Sequence, residues 1–302
     1  MKKSNVKRIV GILALGMVAI GLSACSVTPK AYDAHQPVGP QVHKTITGID
    51  AGAGIMGSTQ KALSAYGLKQ ANWQLQTSST AAMCSQLEKS IKYKQPIVIT
   101  AWQPHWMFKK YPIKFLKDPK GVYGKEEKIK TVASKNFKND NPGAYKFFQQ
   151  FHWTPALMSD VMYANFKGAN PQTTAKKFIK EHPQEVAQWT KDVPDGHGKS
   201  VKMVYVTWDD AIASTNVTAQ ILRDKGYHVT LSAMEAQPMW SSLSRGSADV
   251  STAAWLPVTS GPLYQKYRNQ VQIVTTNCPG AKVGLAVPKY MKNINSIEDL
   301  KH

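Results

Sequence analysis

Three of the eight tryptophans, Trp102, Trp208 and Trp255, stand at the ends of strand-like hydrophobic runs. Ligands meet an α/β sheet at its strand ends, so these three rings can face one cleft. Three indole faces suit a quaternary ammonium ion, which has no N–H to donate and is held by the negative π face. At ~2 kcal/mol for each desolvated contact, three supply ~6 kcal/mol. Two charge-assisted hydrogen bonds to a carboxylate on the same ligand add ~3–6 kcal/mol. Association costs several kcal/mol and micromolar binding needs ~8 kcal/mol, so such a set suffices. Three packing tryptophans give the same pattern, and the spacing alone leaves both readings open. Trp73, Trp153, Trp189 and Trp240 lie inside helix or strand patterns and read as core.

Glycines could meet the carboxylate end. Gly52-Ala-Gly54-Ile-Met-Gly57 follows a strand pattern, opens a helix and matches the dinucleotide fingerprint G-x-G-x-x-G. That fingerprint needs an acidic residue ~20 positions on for the ribose. After Asp50 no acid occurs before Glu88. The glycines either let backbone N–H groups at a helix N-terminus approach an anion or make a tight turn. Asp209 and Asp210, after Trp208, read as caps of the next helix. No H-E-x-x-H, Cys/His metal spacing, G-x-S-x-G elbow or Walker loop occurs. No catalytic residue, metal ion or cofactor is expected, and the chain does not read as an enzyme.

The elements that position these residues form a repeat. In the first unit, Lys44–Asp50 alternates as a strand, Gly52–Tyr66 reads as a helix and Trp73–Thr77 as a strand. Thr80–Tyr93 is then an amphipathic helix and Pro96–Trp102 a closing strand. The second unit repeats this with Val201–Thr207, Asp210–Lys225, His228–Leu231, Gln237–Gly246 and Asp249–Trp255. Both closing strands deliver Ala-Trp-x-Pro, ending at Pro104 and Pro257. Two β-α-β-α-β units predict parallel, helix-covered sheets in two lobes. Between them, residues 139–193 read as helices with Pro142, Pro155, Pro171 and Pro183 near the starts. VQIVTT and KVGLAVP read as two further strands, and Ser296 as the cap of a short terminal helix.

The chain has 302 residues, 42% of them hydrophobic, which excludes wholesale disorder. Its net charge is +19, and without the four basic residues of the first eight it is +15. Such a charge fits nucleic acid, an anionic membrane or a cell wall. The N-terminus chooses among them. After basic Met1–Arg8 comes IVGILALGMVAIGLSA, uncharged and shorter than the ~20 residues of a membrane span. It reads as a secretory signal over residues 1–24. Leu22-Ser23-Ala24-Cys25 resembles a bacterial lipobox, in which Cys25 is lipidated and becomes the first mature residue. Export argues against nucleic acid. Residues 25–44, with three prolines and no hydrophobic period, read as a flexible tether. Cys84 shares a helical face with Leu87 and Ile91, so it and Cys278 read as free thiols rather than a disulfide.

Seven segments, IDAGAGIM, PIVITAWQPHWMF, FLKDPKGVYG, TWDDAIASTN, AQPMWSSL, AAWLPVTS and GLAVPKYMKNINSIEDL, together resemble the glycine betaine-binding lipoproteins of ABC importers, the OpuAC type. The resemblance runs from about Lys44 to the end. It implies a two-lobed periplasmic-binding-protein type II fold in circularly permuted form, with the ligand cleft between lobes. Lobe one would comprise 45–122 plus 284–302, and lobe two 123–283. It implies an aromatic prism of Trp102, Trp208 and Trp255 and carboxylate-binding amides at Gly54 and Ile55. The family often has His five residues after the third prism tryptophan; here that position is Ser260. Ser260, or else His105 or Thr259, is then the candidate second carboxylate donor.

The expected protein is an osmoprotection receptor, lipid-anchored at the outer face of a Gram-positive cell membrane. It takes a small quaternary ammonium ligand and works with the permease and ATPase subunits of an importer. A choline or carnitine receptor, an exported enzyme acting on trimethylammonium compounds, and a basic cell-wall adhesion protein are the alternatives.

Overall fold

The computed structural model describes residues 30–301. The expected signal segment and Cys25 lie outside the described residues. The chain begins with α1 (Val38–Gln41), β1 (Thr45–Thr47), α2 (Gly54–Ala65), β2 (Gln74–Gln76), α3 (Thr80–Lys92), β3 (Ile99–Gln103), α4 (Met107–Lys110) and β4 (Ile113–Phe115). Next come β5 (Glu127–Ser134), α5 (Phe137–Asp140), α6 (Pro142–Gln150), α7 (Pro155–Phe166), α8 (Pro171–Glu181) and α9 (Pro183–Trp189). The second unit holds β6 (Ser200–Tyr205), α10 (Asp209–Asp224), β7 (His228–Ala233), α11 (Ala236–Ser244) and β8 (Val250–Leu256). It is followed by α12 (Gly261–Tyr267), β9 (Val271–Pro288) and a short 3-10 turn, Ile297–Lys301.

The repeat expected from the sequence is present, and each unit forms its own half of the sheet. In lobe one the order is β2-β1-β3-β9-β4, and in lobe two β7-β6-β8-β5-β9. In each lobe four strands share one direction and one runs against them, the end of β9 in lobe one and β5 in lobe two. This two-lobed α/β arrangement is the type II binding-protein architecture that the sequence led us to expect. The chain passes between lobes after β4 and again inside β9, whose residues 271–281 pair with β5 and 282–288 with β3 and β4. Two separate strands were expected where β9 runs unbroken for 18 residues.

Local chemistry explains most element starts. Pro142, Pro155 and Pro171 each occupy the first turn of a helix, and the residue before each accepts from a first-turn N–H: Asn141 from Ala144, Thr154 from Leu157, Asn170 from Gln172. Glu298 N–H donates to Ser296 Oγ at 3.3 Å, the expected cap. Trp73, Trp153, Trp189 and Trp240 are buried, as read from their patterns. Cys84 and Cys278 are free and buried, and burial pushes both thiols up to about 12. Among the described residues no helix is long and apolar enough to cross a membrane.

The expected tether through Lys44 needs correction. From Tyr32 onward the chain lies on lobe one: Tyr32 N–H donates to the Lys94 carbonyl at 2.8 Å and its hydroxyl bonds Asn293. Val38 and Val42 are buried in the core. Proline content hid two apolar anchors spaced one helical turn apart.

Candidate functional site

Trp102, Trp208, Trp255, Gly54 and Ile55 line one cavity that opens to solvent, with about 370 Å3 of space not filled by protein atoms, open solvent included. It lies between the lobes. Trp102 sits on β3 and Gly54 and Ile55 open α2, all in lobe one; Trp208 precedes α10 and Trp255 sits on β8, both in lobe two. Trp102 and Trp255 are buried, Trp208 half-buried. A space of this size fits a compact ligand.

At the other wall, Ala53 caps α2 without any side-chain hydrogen bond. Gly54 and Ile55 hold the first helical positions, whose N–H groups lack intrahelical acceptors. Together with the helix dipole they favour an anion there. Gly54 also has a steric reason. A Cβ on it would stand 2.0 Å from the Thr259 carbonyl oxygen of lobe two. Only a residue without a side chain lets the lobes meet at this point.

Thr259 is held in place by a buried carboxylate. Glu127 Oε1 accepts from the backbone N–H groups of Val258 and Thr259 at 2.8 and 2.7 Å, and Oε2 accepts from the Thr259 hydroxyl. Two neighbouring aspartates serve the indoles. Asp210 Oδ2 accepts from Trp255 Nε1–H at 2.8 Å and so orients that ring in the cavity wall. Burial pushes the Asp210 carboxyl above the usual carboxylate range; the indole N–H opposes this and the charge of Asp209 adds to it. Asp209 Oδ2 meets His105 Nε2 at 3.0 Å and accepts from Trp106 Nε1–H at 2.6 Å. Burial disfavours its charge too, but the bonds from His105 and Trp106 outweigh that and hold its carboxyl below the usual range.

The family model for the substrate binding domain of ABC-type glycine betaine transport systems, OpuAC, matches residues 29–181 and 199–302. This chain belongs to the OpuAC family. It is 52% identical over 295 residues to the glycine betaine/carnitine transport binding protein GbuC of Listeria monocytogenes, covering 98% of each chain. Among solved structures, lactococcal OpuAC in its closed form with glycine betaine aligns at 40% identity over 53% of this chain and 62% of that one, with a TM-score of 0.46. The glycine betaine/L-proline-binding protein ProX of Borrelia burgdorferi aligns at 30% identity over 54% of this chain and 62% of that one, also at 0.46. These relatives are substrate-binding proteins of transport systems.

In this OpuAC-family chain three expectations are revised. Asp209 and Asp210 do not cap α10, since Trp208 makes no side-chain cap bond and each carboxylate is taken by an indole N–H. His105 is buried beside Trp102, with ring centroids 4.7 Å apart, but it faces Asp209 and does not line the cavity. Ser260 Oγ accepts from the Trp255 backbone N–H at 3.1 Å and borders the adjacent cavity, so it is not on the tryptophan-lined wall. Thr259 is on that wall. Trp106 and Glu127 were not expected. Trp106 stands two residues after Pro104 of the first Ala-Trp-x-Pro segment, a position that could have flagged it. Glu127 sits in KEEKIK and reads there as part of a solvated charge run. Among the described residues no group of three or more His, Cys, Asp or Glu is placed to hold a metal ion.

Proposed function

We propose that this protein is the substrate-binding component of an ABC importer for glycine betaine or a closely related trimethylammonium carboxylate. One observation carries the reading: three indoles from two lobes and a helix N-terminus opened by glycine share one small cavity. The rings suit the methylated ammonium group. The free N–H groups of Gly54 and Ile55 suit the carboxylate. Membership of the OpuAC family and the name of the Listeria relative support the same ligand class.

In this proposal Trp102 acts from lobe one, Trp208 and Trp255 from lobe two, and the lobes divide near residues 122 and 283. The order of the units corresponds to the permuted form. The mature protein is held by lipid on Cys25 at the outer face of the cell membrane. It passes its ligand to permease and ATPase subunits and performs no chemistry on it. Carnitine is a second reading. The adjacent cavity shares Gly54, Trp208 and Thr259 with the first, which leaves room for a longer ligand tail.

Titration calorimetry with glycine betaine, proline betaine, carnitine and choline tests this. Glycine betaine is expected to bind at micromolar Kd and choline, which has no carboxylate, at least about tenfold more weakly. No heat with any of the four overturns the reading. Conversion of ligand by the purified protein, followed by NMR, overturns the non-enzymatic part.

A further inference from the structure

Beside the cavity, on the α7 side of the cleft, lies a second set of contacts between the lobes. All of it comes from one short stretch of lobe one, His105–Lys110. The His105 side chain is fully buried, and its Nδ1 accepts from Met107 N–H at 3.1 Å. The remaining ring nitrogen, Nε2, therefore carries the proton and donates to Asp209. The Trp106 indole N–H donates to the same oxygen. Its ring stacks on Phe166 of α7, with centroids 3.7 Å apart and planes 20° apart. Lys109 pairs with Asp160 of α7, and Lys110 lies 4.5 Å from the Phe166 ring centroid.

We infer that Asp209 is an affinity-determining residue that acts from outside the cavity, by accepting from His105 and Trp106 across the cleft and holding the lobes together over the ligand. Three observations carry this. Both donors come from lobe one and the acceptor from lobe two, about a hundred residues away. With the lobes apart, the acceptor loses both protein donors at once. The contact also shares a wall with the cavity, because His105 packs edge-on against Trp102. A ligand that fixes the Trp102 ring fixes the surface on which His105 rests. Two donors on one carboxylate oxygen are charge-assisted bonds, the strong kind. The neighbouring Asp210 cannot replace Asp209, since its carboxylate is engaged by Trp255 inside lobe two.

Asp209 differs from the residues of the cavity in what it does to kinetics. It touches no ligand, so it should leave the encounter unchanged and lengthen the life of the closed form. Affinity changes from such a contact appear in koff. Conformational linkage gives the same expectation: a group bonded only in the closed state shifts the equilibrium by its differential interaction.

The inference rests on the proposed ligand class, so wild-type protein is titrated with glycine betaine first; no binding there overturns that reading and not this one. Given binding, Asp209→Ala is expected to weaken it ten- to a hundredfold. The loss should lie in koff measured by stopped flow, with kon changed less than about twofold and the melting temperature of the ligand-free protein nearly unchanged. Asp209→Asn keeps an acceptor without the charge and should fall between. Trp106→Phe keeps the stacking on Phe166 and removes the N–H, so a double variant with Asp209→Ala should be less than additive in affinity. Unchanged koff in Asp209→Ala, or a loss of ligand-free stability that accounts for the weakened binding, overturns the inference. If Asp209→Ala does not fold, Trp106→Phe alone decides, since it too must raise koff.

Discussion

The two Ala-Trp-x-Pro segments start alike and end differently. Each places a tryptophan in the cavity wall, and in each the bond before proline is cis, Gln103–Pro104 and Leu256–Pro257. After proline, lobe one continues into His105-Trp106, which donates across the cleft to Asp209. Lobe two continues into Val258-Thr259-Ser260, which is tied down within its own lobe by Glu127 and by the Trp255–Ser260 bonds. It meets lobe one where Gly54 has no side chain. One side of the cavity thus closes by hydrogen bonds and the other by fit. The two mechanisms respond differently to change. A hydrogen-bonded contact loses a finite, graded free energy when a partner is removed. A fitted contact meets steep repulsion when atoms are added.

That contrast can be broken hardest at Gly54. Gly54→Ala adds a methyl group where the Thr259 carbonyl already stands, so the lobes should be held apart. Glycine betaine affinity should drop about a hundredfold, with little ligand-induced compaction in small-angle scattering. Wild-type affinity would mean that the two loops do not need to meet.

Trp255→Ala comes next. It removes one ring from the cavity and should cost ~2 kcal/mol of binding, about thirtyfold in calorimetric Kd. Trp73→Ala is the counterpart from the core of lobe one. It should lower stability by ~3–5 kcal/mol in denaturant unfolding while moving ligand affinity less than about twofold. Equal effects of both on binding would erase the distinction between cavity and core indoles.

Glu127→Gln sharpens the fitted side. It replaces a charged acceptor of two backbone N–H groups by a neutral one, loosening the loop that carries Thr259. Binding should weaken by about tenfold or less. Crystal structures of the variant should show the Val258–Thr259 loop displaced or multiply placed; an unmoved loop with unchanged affinity would show that Glu127 is dispensable to the fit. Ser260→Ala should do less still. It loses one neutral hydrogen bond to the Trp255 backbone, ~0.5–1.5 kcal/mol of stability, and should not reorder glycine betaine, carnitine and choline in competition assays.

The smallest expected signal is from the thiols, one in each lobe. With both pushed up to about 12, the neutral thiol persists well above pH 8 and the thiolate fraction there is on the order of 10⁻⁴. Neither Cys84 nor Cys278 should react with iodoacetamide at pH 8 in the native protein, and both should after unfolding, as mass spectrometry can show. Native labelling of Cys84 alone would reveal that lobe one opens more readily than lobe two.

The amino-acid sequence by itself determined what depends on near neighbours. Strand and helix periods set out both β-α-β-α-β units, prolines and their preceding Asn or Thr marked the central helices, and the spacing around Cys84 marked a buried face. Trp102, Trp208 and Trp255 were legible as a set because the repeat brings each to a strand end. The tertiary structure alone decided the partners. β5 escaped notice because Glu127, Lys128 and Lys130 punctuate it, although Glu127 points inward to anchor the Thr259 loop. Nothing local separates Asp209 from Asp210, yet one serves the other lobe and the second its own. The family resemblance suggested Ser260 as a carboxylate donor, and the turn after β8 directs its oxygen to the Trp255 backbone instead. Sequence period reports whether a side chain is buried, through solvation averaged over a few residues. The partner of Glu127 is chosen only when the chain folds back within its lobe, that of Asp209 only when the two lobes pack, and that of Ser260 by the turn its own loop adopts.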